Sequence, residues 1–207
     1  MGTRGAIGFR LDGKDKVTYN HFDSYPSGLG ADILSELSGI KNWDNVKDAV
    51  RAITFVNEDV PPTQTQIEQC REFTDLGVGD QSETDWYCLL RNAQGSLAPY
   101  IDGRLPFMAD NQGFLLDSVF CEYAYIVNLD DMVLEFYKGF NKDNKAAGRY
   151  ASKHRTRKGE APDYYGVVLM DTMPLTDLPK TKRCKGFVNK TVKRWDAICH
   201  DPEDEEY

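Results

Sequence analysis

FCEYAYIVNLDDMVLEFY, residues Phe120–Tyr137, is the stretch on which the fold turns. Its first part, Phe120–Leu129, mixes aromatic, β-branched and small side chains with few breaks, the composition of a strand covered on both faces. Met132–Tyr137 alternates instead. Val133, Glu135 and Tyr137 fall on one side and Met132, Leu134 and Phe136 on the other, which makes the latter the core side. Asn128, Asp130 and Asp131 between them tolerate turn dihedrals and bond their own backbone. The stretch therefore predicts a hairpin. A lone two-stranded ribbon is marginal in water, so the rest of the chain must supply further strands and a helical layer.

Working outward, Thr3–Arg10 and Lys16–Asn20 flank an Asp-Gly loop and predict a second hairpin at the N-terminus. Gly2, Gly5 and Gly8 recur within it, as close packing or a bulge requires. Beyond the loop His21–Gly30, the spacing predicts helices over Ala31–Leu37, from Asn42 or Asp44 to about Phe55, and over Gln64–Phe73 with Thr63 as cap. A short helix through Asp85–Leu90 follows, capped by Ser82 or Thr84. Between Ser96 and Gly113, prolines and glycines leave room for one edge strand. After the central hairpin the sequence predicts a short helix through Ala146–Ala151, a strand at Tyr164–Asp171 and a last helix opening at Lys185 or Gly186. The fold class is α+β: one domain over residues 1–200, an antiparallel or mixed sheet built from two hairpins and further strands, packed by short helices. Residues 201–207 read as an acidic disordered tail.

The chain has 207 residues, enough to bury a sizeable core. No apolar window reaches the roughly 18 residues of a spanning helix, and no basic-then-apolar leader opens the sequence, so cytoplasmic residence and no membrane contact are expected. Five dispersed cysteines form no C-x-x-C pair and read as reduced structural thiols. Three widely spaced histidines match no H-E-x-x-H pattern, and the glycines match neither the phosphate-loop nor the dinucleotide fingerprint. No metal or cofactor is expected. Charge is uneven: residues 1–137 hold 10 Lys/Arg against 22 Asp/Glu, whereas residues 138–207 hold 15 against 11. An acidic body followed by a basic segment can steer a partner or satisfy itself internally.

Two sets of residues are candidates for function. His21 and Asp23 would share one side of a strand continuing through them, where a carboxylate can orient an imidazole for general-base work. Tyr25 and Arg4 complete that candidate catalytic set. Lys153, Arg155, Arg157 and Lys158, with Lys182 and Arg183 further on, form a candidate nucleic-acid surface beside tyrosines able to stack on bases.

The segments MGTRG, YNHFDSYP (Tyr19–Pro26) and EYAYIVNLDD resemble an uncharacterised group of small bacterial and phage proteins. The resemblance covers parts of the N-terminal quarter and the central hairpin and implies no established activity. It implies His21–Pro26 as a shared surface feature, an accessory protein acting on a host or defence factor, and residence in the host cytoplasm. The leading expectation is a macromolecular interaction protein with a protein partner. The alternatives are a small hydrolase or transferase using His21 and Asp23, and a nucleic-acid binder using the basic segments; the sequence sets no oligomeric state.

Overall fold

The structure is a computed structural model that describes residues 2–155 and 162–199. Its strands are β1 (Gly5–Leu11), β2 (Lys14–Asn20), β3 (Thr54–Val56), β4 (Phe107–Ala109), β5 (Tyr123–Asn128), β6 (Val133–Lys138) and β7 (Val168–Pro174). Its helices are α1 (Ala31–Leu37), α2 (Trp43–Ala52), α3 (Gln64–Cys70), α4 (Trp86–Leu89), α5 (Ala98–Ile101) and α6 (Lys185–Cys199). The fold is α+β, as the sequence predicts.

The hairpin expected within Phe120–Tyr137 is β5–β6, with Val127 opposite Leu134 and Ala124 opposite Tyr137. It lies inside a five-stranded mixed sheet of order β2-β1-β5-β6-β7. The N-terminal hairpin β1–β2 joins it through a parallel pairing of β1 with β5, and β7 adds antiparallel to β6. β3 and β4 make a small parallel pair of their own, so the edge strand expected before the central hairpin lies apart from it.

Alternation along the strands sorts the core into two layers. Ile7, Phe9, Tyr125, Val127, Leu134 and Phe136 face the larger one, where Trp195 of α6 stacks on Phe136 at 4.8 Å between centroids. Ala6, Val17, Ala124, Ile126 and Tyr137 face the smaller one with Tyr150 and Val167. Burying a residue the size of Leu or Phe stabilises by roughly 1.5–3 kcal/mol, so the larger layer dominates stability. The smaller layer also holds Glu135, only 4% exposed. Its carboxylate accepts hydrogen bonds from Asn128 at 2.8 Å, the Tyr137 hydroxyl at 2.9 Å and Arg149 at 2.7 Å.

Local signals place most helix starts. Asn42 caps α2 by accepting from the Asp44 and Asn45 N–H groups, and Thr63 with Gln66 forms a capping box at α3. α4 is capped by Asp85 rather than by Ser82 or Thr84. The Gln64–Phe73 expectation ends as α3 followed by a tighter turn, Arg71–Phe73. Three expectations shift. β5 begins at Tyr123, because the N–H groups of Phe120 and Cys121 turn back to the Asp117 carbonyl at 3.1 and 2.9 Å. The strand expected at Tyr164–Asp171 begins at Val168, since Tyr165, Gly166 and Val167 donate to the carbonyls of Asn141, Lys153 and Leu115. The helix expected through Ala146–Ala151 is replaced by turns: Gly148 adopts φ +105°, and the Ala147 carbonyl accepts from Leu169 of β7 at 2.8 Å. The five cysteines are free and buried, and burial raises the thiol pKa of Cys70, Cys88, Cys121 and Cys199, which makes them poor nucleophiles at neutral pH. Among the described residues no helix is long and apolar enough to cross a membrane.

Candidate functional site

The loop His21–Gly30 leaves β2 just after Tyr19, which lines one concavity of the molecule, and carries Phe22, which packs on Gly2 at the edge of another. Asn20, the last residue of β2, is buried, and its side-chain amide donates to the Phe22 carbonyl and to Ser24 Oγ. That pair of bonds turns the chain out of the strand. Asp23 then takes φ +52°, so two-residue alternation does not carry through and Asp23 ends exposed. His21 finds a different partner: its Nδ1 lies 2.8 Å from the Tyr19 hydroxyl, and its ring meets Phe22 edge-on at 4.2 Å. Burial raises the Tyr19 phenol above its ordinary pKa against the opposing charge of Arg4, so the phenol keeps its proton beside the ring. No hydrogen bond joins His21 to Asp23 among the described residues. Tyr25 is partly exposed, and its carbonyl accepts from Gly28 at 3.0 Å. The candidate catalytic set is therefore divided: Arg4 and His21 lie around Tyr19, whereas Asp23 and Tyr25 belong to the loop's outer turn.

On one side of this loop is an apolar groove of about 320 Å³ that Val119, Phe120 and Phe140 line with Gly2, Arg4 and Glu122. Phe120 is 51% exposed and Phe140 53%. Phe22 adjoins them, its ring so close to Gly2 that a Cβ there would stand 2.5 Å away. Arg4 spans the groove's edge: its guanidinium lies 5.7 Å from the Phe120 ring centre, and its N–H donates to Glu122 at 3.1 Å. A stiff frame presents these rings. Phe140 sits at φ +57°, a conformation unfavourable for a bulky side chain, and its N–H donates to the Ser118 carbonyl at 2.8 Å. The next residue, Asn141, is buried and ties Ser118 Oγ, the Ala151 carbonyl and the Gly166 carbonyl together.

On the other side is a cleft of about 280 Å³ between β2 and the layer that carries β4, α4 and α5. Tyr19, Tyr87, Tyr100 and Phe114 supply rings; Glu58, Asp110, Asn111 and Arg155 supply polar groups. Burial raises the Glu58 carboxyl pKa, and the charges of Asp85 and Asp59 raise it further. Residue-by-residue inspection misses this cleft because its walls come from remote segments. The available signal was Asn111 in a Gly- and Pro-rich stretch, whose side chain accepts from the Tyr19 N–H at 3.1 Å and covers the free edge of β2.

The basic residues are dispersed. Lys153 borders a recess with Arg10, Lys14 and Arg149, and Arg155 stands in the cleft. Lys182 and Arg183 precede α6, with the Lys182 stem 3.4 Å from where a Cβ on Gly39 would stand. Tyr150, beside Lys153, belongs to the smaller core layer and α6 to the larger, so the sheet stands between the two basic segments. Arg157, Lys158 and residues 201–207 lie outside the described residues. Among the described residues no group of three or more His, Cys, Asp or Glu side chains is arranged to hold a metal ion.

Compared with family models, curated proteins and solved structures, the chain matches none. The likeness to small phage and bacterial proteins therefore rests on the quoted segments alone.

Proposed function

We propose that the protein is a macromolecular interaction protein that grips a protein partner through the groove of Val119, Phe120 and Phe140, with Phe22 at its border. One observation carries this reading: several of the chain's exposed large apolar side chains gather around a single concavity, although they come from three separate segments. Exposed apolar side chains scattered singly need no explanation, but a contiguous patch with a polar rim is the usual mark of a binding surface. Aromatic anchors surrounded by a charged rim, here Arg4 and Glu122, are also the arrangement that concentrates binding energy in protein interfaces. The resemblance to phage and bacterial accessory proteins makes a cytoplasmic host or defence factor the partner proposed.

The test compares the wild-type chain with the double variant Phe120→Asp, Phe140→Asp as bait in a bacterial lysate, with captured proteins identified by mass spectrometry. The proposal expects a defined protein captured by the wild type and lost with the variant, while circular dichroism and melting show the variant folded. Equal capture by both, or nothing captured above a blank resin, would overturn it.

A further inference from the structure

We propose that the cleft between β2 and α5 is a binding site for a neutral polyhydroxylated ring of hexose size. The inference is independent of the groove and concerns polar atoms rather than exposed carbon.

Several polar atoms of the cleft are unused. Tyr100 is 2% exposed and lines the cleft; its hydroxyl, which is not among the fully buried atoms left without a partner, makes no hydrogen bond to a described residue. A hydroxyl that opens onto a cleft is satisfied by solvent or by a bound ligand, and the cleft that Tyr100 lines is where a ligand can supply the partner. Asp110 uses one carboxylate oxygen, Oδ1, to accept from the backbone and side chain of Gln112 at 3.2 and 3.0 Å, leaving Oδ2 uncommitted among the described residues. Asn111 accepts through Oδ1 from Tyr19, and its side-chain N–H group donates to no described residue.

These atoms include donors and acceptors side by side. A hydroxyl is both at once, so a ring bearing several of them can satisfy the set without leaving a like pair opposed. Rings of Tyr19, Tyr87 and Phe114 offer apolar faces for the C–H surface of such a ligand, Tyr19 and Phe114 meeting at a right-angled 5.1 Å contact that fixes both. Charge narrows the class further. Two carboxylates, Glu58 and Asp110, line the cleft against one guanidinium, Arg155, which disfavours an anion. The neutral donors and Arg155 equally disfavour a cage for an organic cation, which would need acceptors and ring faces alone.

The site is also held in shape before any ligand arrives. The indole N–H of Trp86 donates to the Val60 carbonyl at 3.0 Å and tethers the loop that carries Glu58. The Glu36 carboxylate accepts from Ser96 Oγ at 2.6 Å and from the Leu97 N–H at 2.8 Å, fixing the start of α5 and with it Tyr100. Preorganisation of this kind lowers the ordering cost of binding.

The experiment uses the intact chain and ligand-observed saturation-transfer NMR with methyl hexosides at millimolar concentration, with tetramethylammonium and inorganic phosphate as charged controls. A methyl hexoside should bind saturably, and Tyr100→Phe and Asp110→Asn should each weaken it by about fivefold or more, the size of one lost hydrogen bond. Both changes are near-isosteric, and a melting curve for each confirms the fold. Absence of hexoside binding, binding unchanged in both variants, or a preference for either charged control would overturn the proposal.

Discussion

The groove and the cleft flank the same loop and are built on opposite principles. The groove displays carbon: Phe22, Phe120 and Phe140 stand about half exposed beside a frame in which Asn141 bonds Ser118, Ala151 and Gly166. The cleft holds oxygen and nitrogen: Tyr100, which is buried, and Asp110, which is exposed, keep hydrogen-bonding capacity there. Exposed apolar area is relieved by a large dry surface, and unsatisfied polar atoms by a small ligand with matching hydroxyls. The molecule thus carries two kinds of unmet demand. Its components should fail separately when perturbed locally and together when the sheet beneath them is damaged.

The shared support provides the largest effect. Replacing Arg149 with Met leaves Glu135 buried on β6 without its cation, an arrangement that costs about 3–5 kcal/mol. Chemical denaturation should show that loss, and groove and cleft binding should decline in parallel; binding retained with full stability would break the view of the sheet as common scaffold. A groove-only change is Phe140→Gly. Glycine accepts φ +57° at no steric cost, so stability should rise by about 1 kcal/mol while partner capture weakens and hexoside binding stays unchanged. A fall in stability would mean that the ring contributes more packing than its exposure suggests.

The smallest effect is confined to the cleft side. Burial raises the Glu36 carboxyl pKa despite the bonds it accepts from Ser96, Leu97 and Ala98. A carboxyl raised in the folded state contributes stability that is complete below the unfolded value of about 4.3 and is lost as pH rises through the folded value. The wild type's stability relative to Glu36→Gln should therefore fall as pH climbs from about 4 toward neutrality. A difference that ignores pH, measured by denaturant titration at several pH values, would contradict the burial of this carboxyl.

What was legible in the sequence was local. Alternation in Met132–Tyr137 identified the core side of β6, and the caps at Asn42 and Thr63 located two helix starts, because each depends on neighbours a few residues away. The pairing of His21 with Asp23 failed on a single side chain. Asn20 ends the strand by bonding forward into the loop, and alternation has no meaning beyond it. Phe120 looked like the first residue of a strand, and the Asp117 carbonyl that turns it outward left no pattern in the sequence. The cleft was hidden for a different reason, since Glu58, Tyr100, Asp110 and Arg155 share no periodicity and meet only through tertiary packing.

The parallel seam between β1 and β5 also governs how the molecule can be made. Gly5 lies beside Tyr123, and Arg4 reaches Glu122 across 118 positions of chain. At ribosomal speeds of about 5–20 residues per second, the first hairpin waits roughly 5–22 s, from Asn20 to Asn128, for the strand that completes its inner edge. During that interval the backbone groups on the β1 edge that later pairs with β5 have no neighbour, and the nascent chain is most open to chaperones or to mispairing with another copy. The step that fastens the sheet together thus comes late in the life of each new molecule, after more than half of it has left the ribosome.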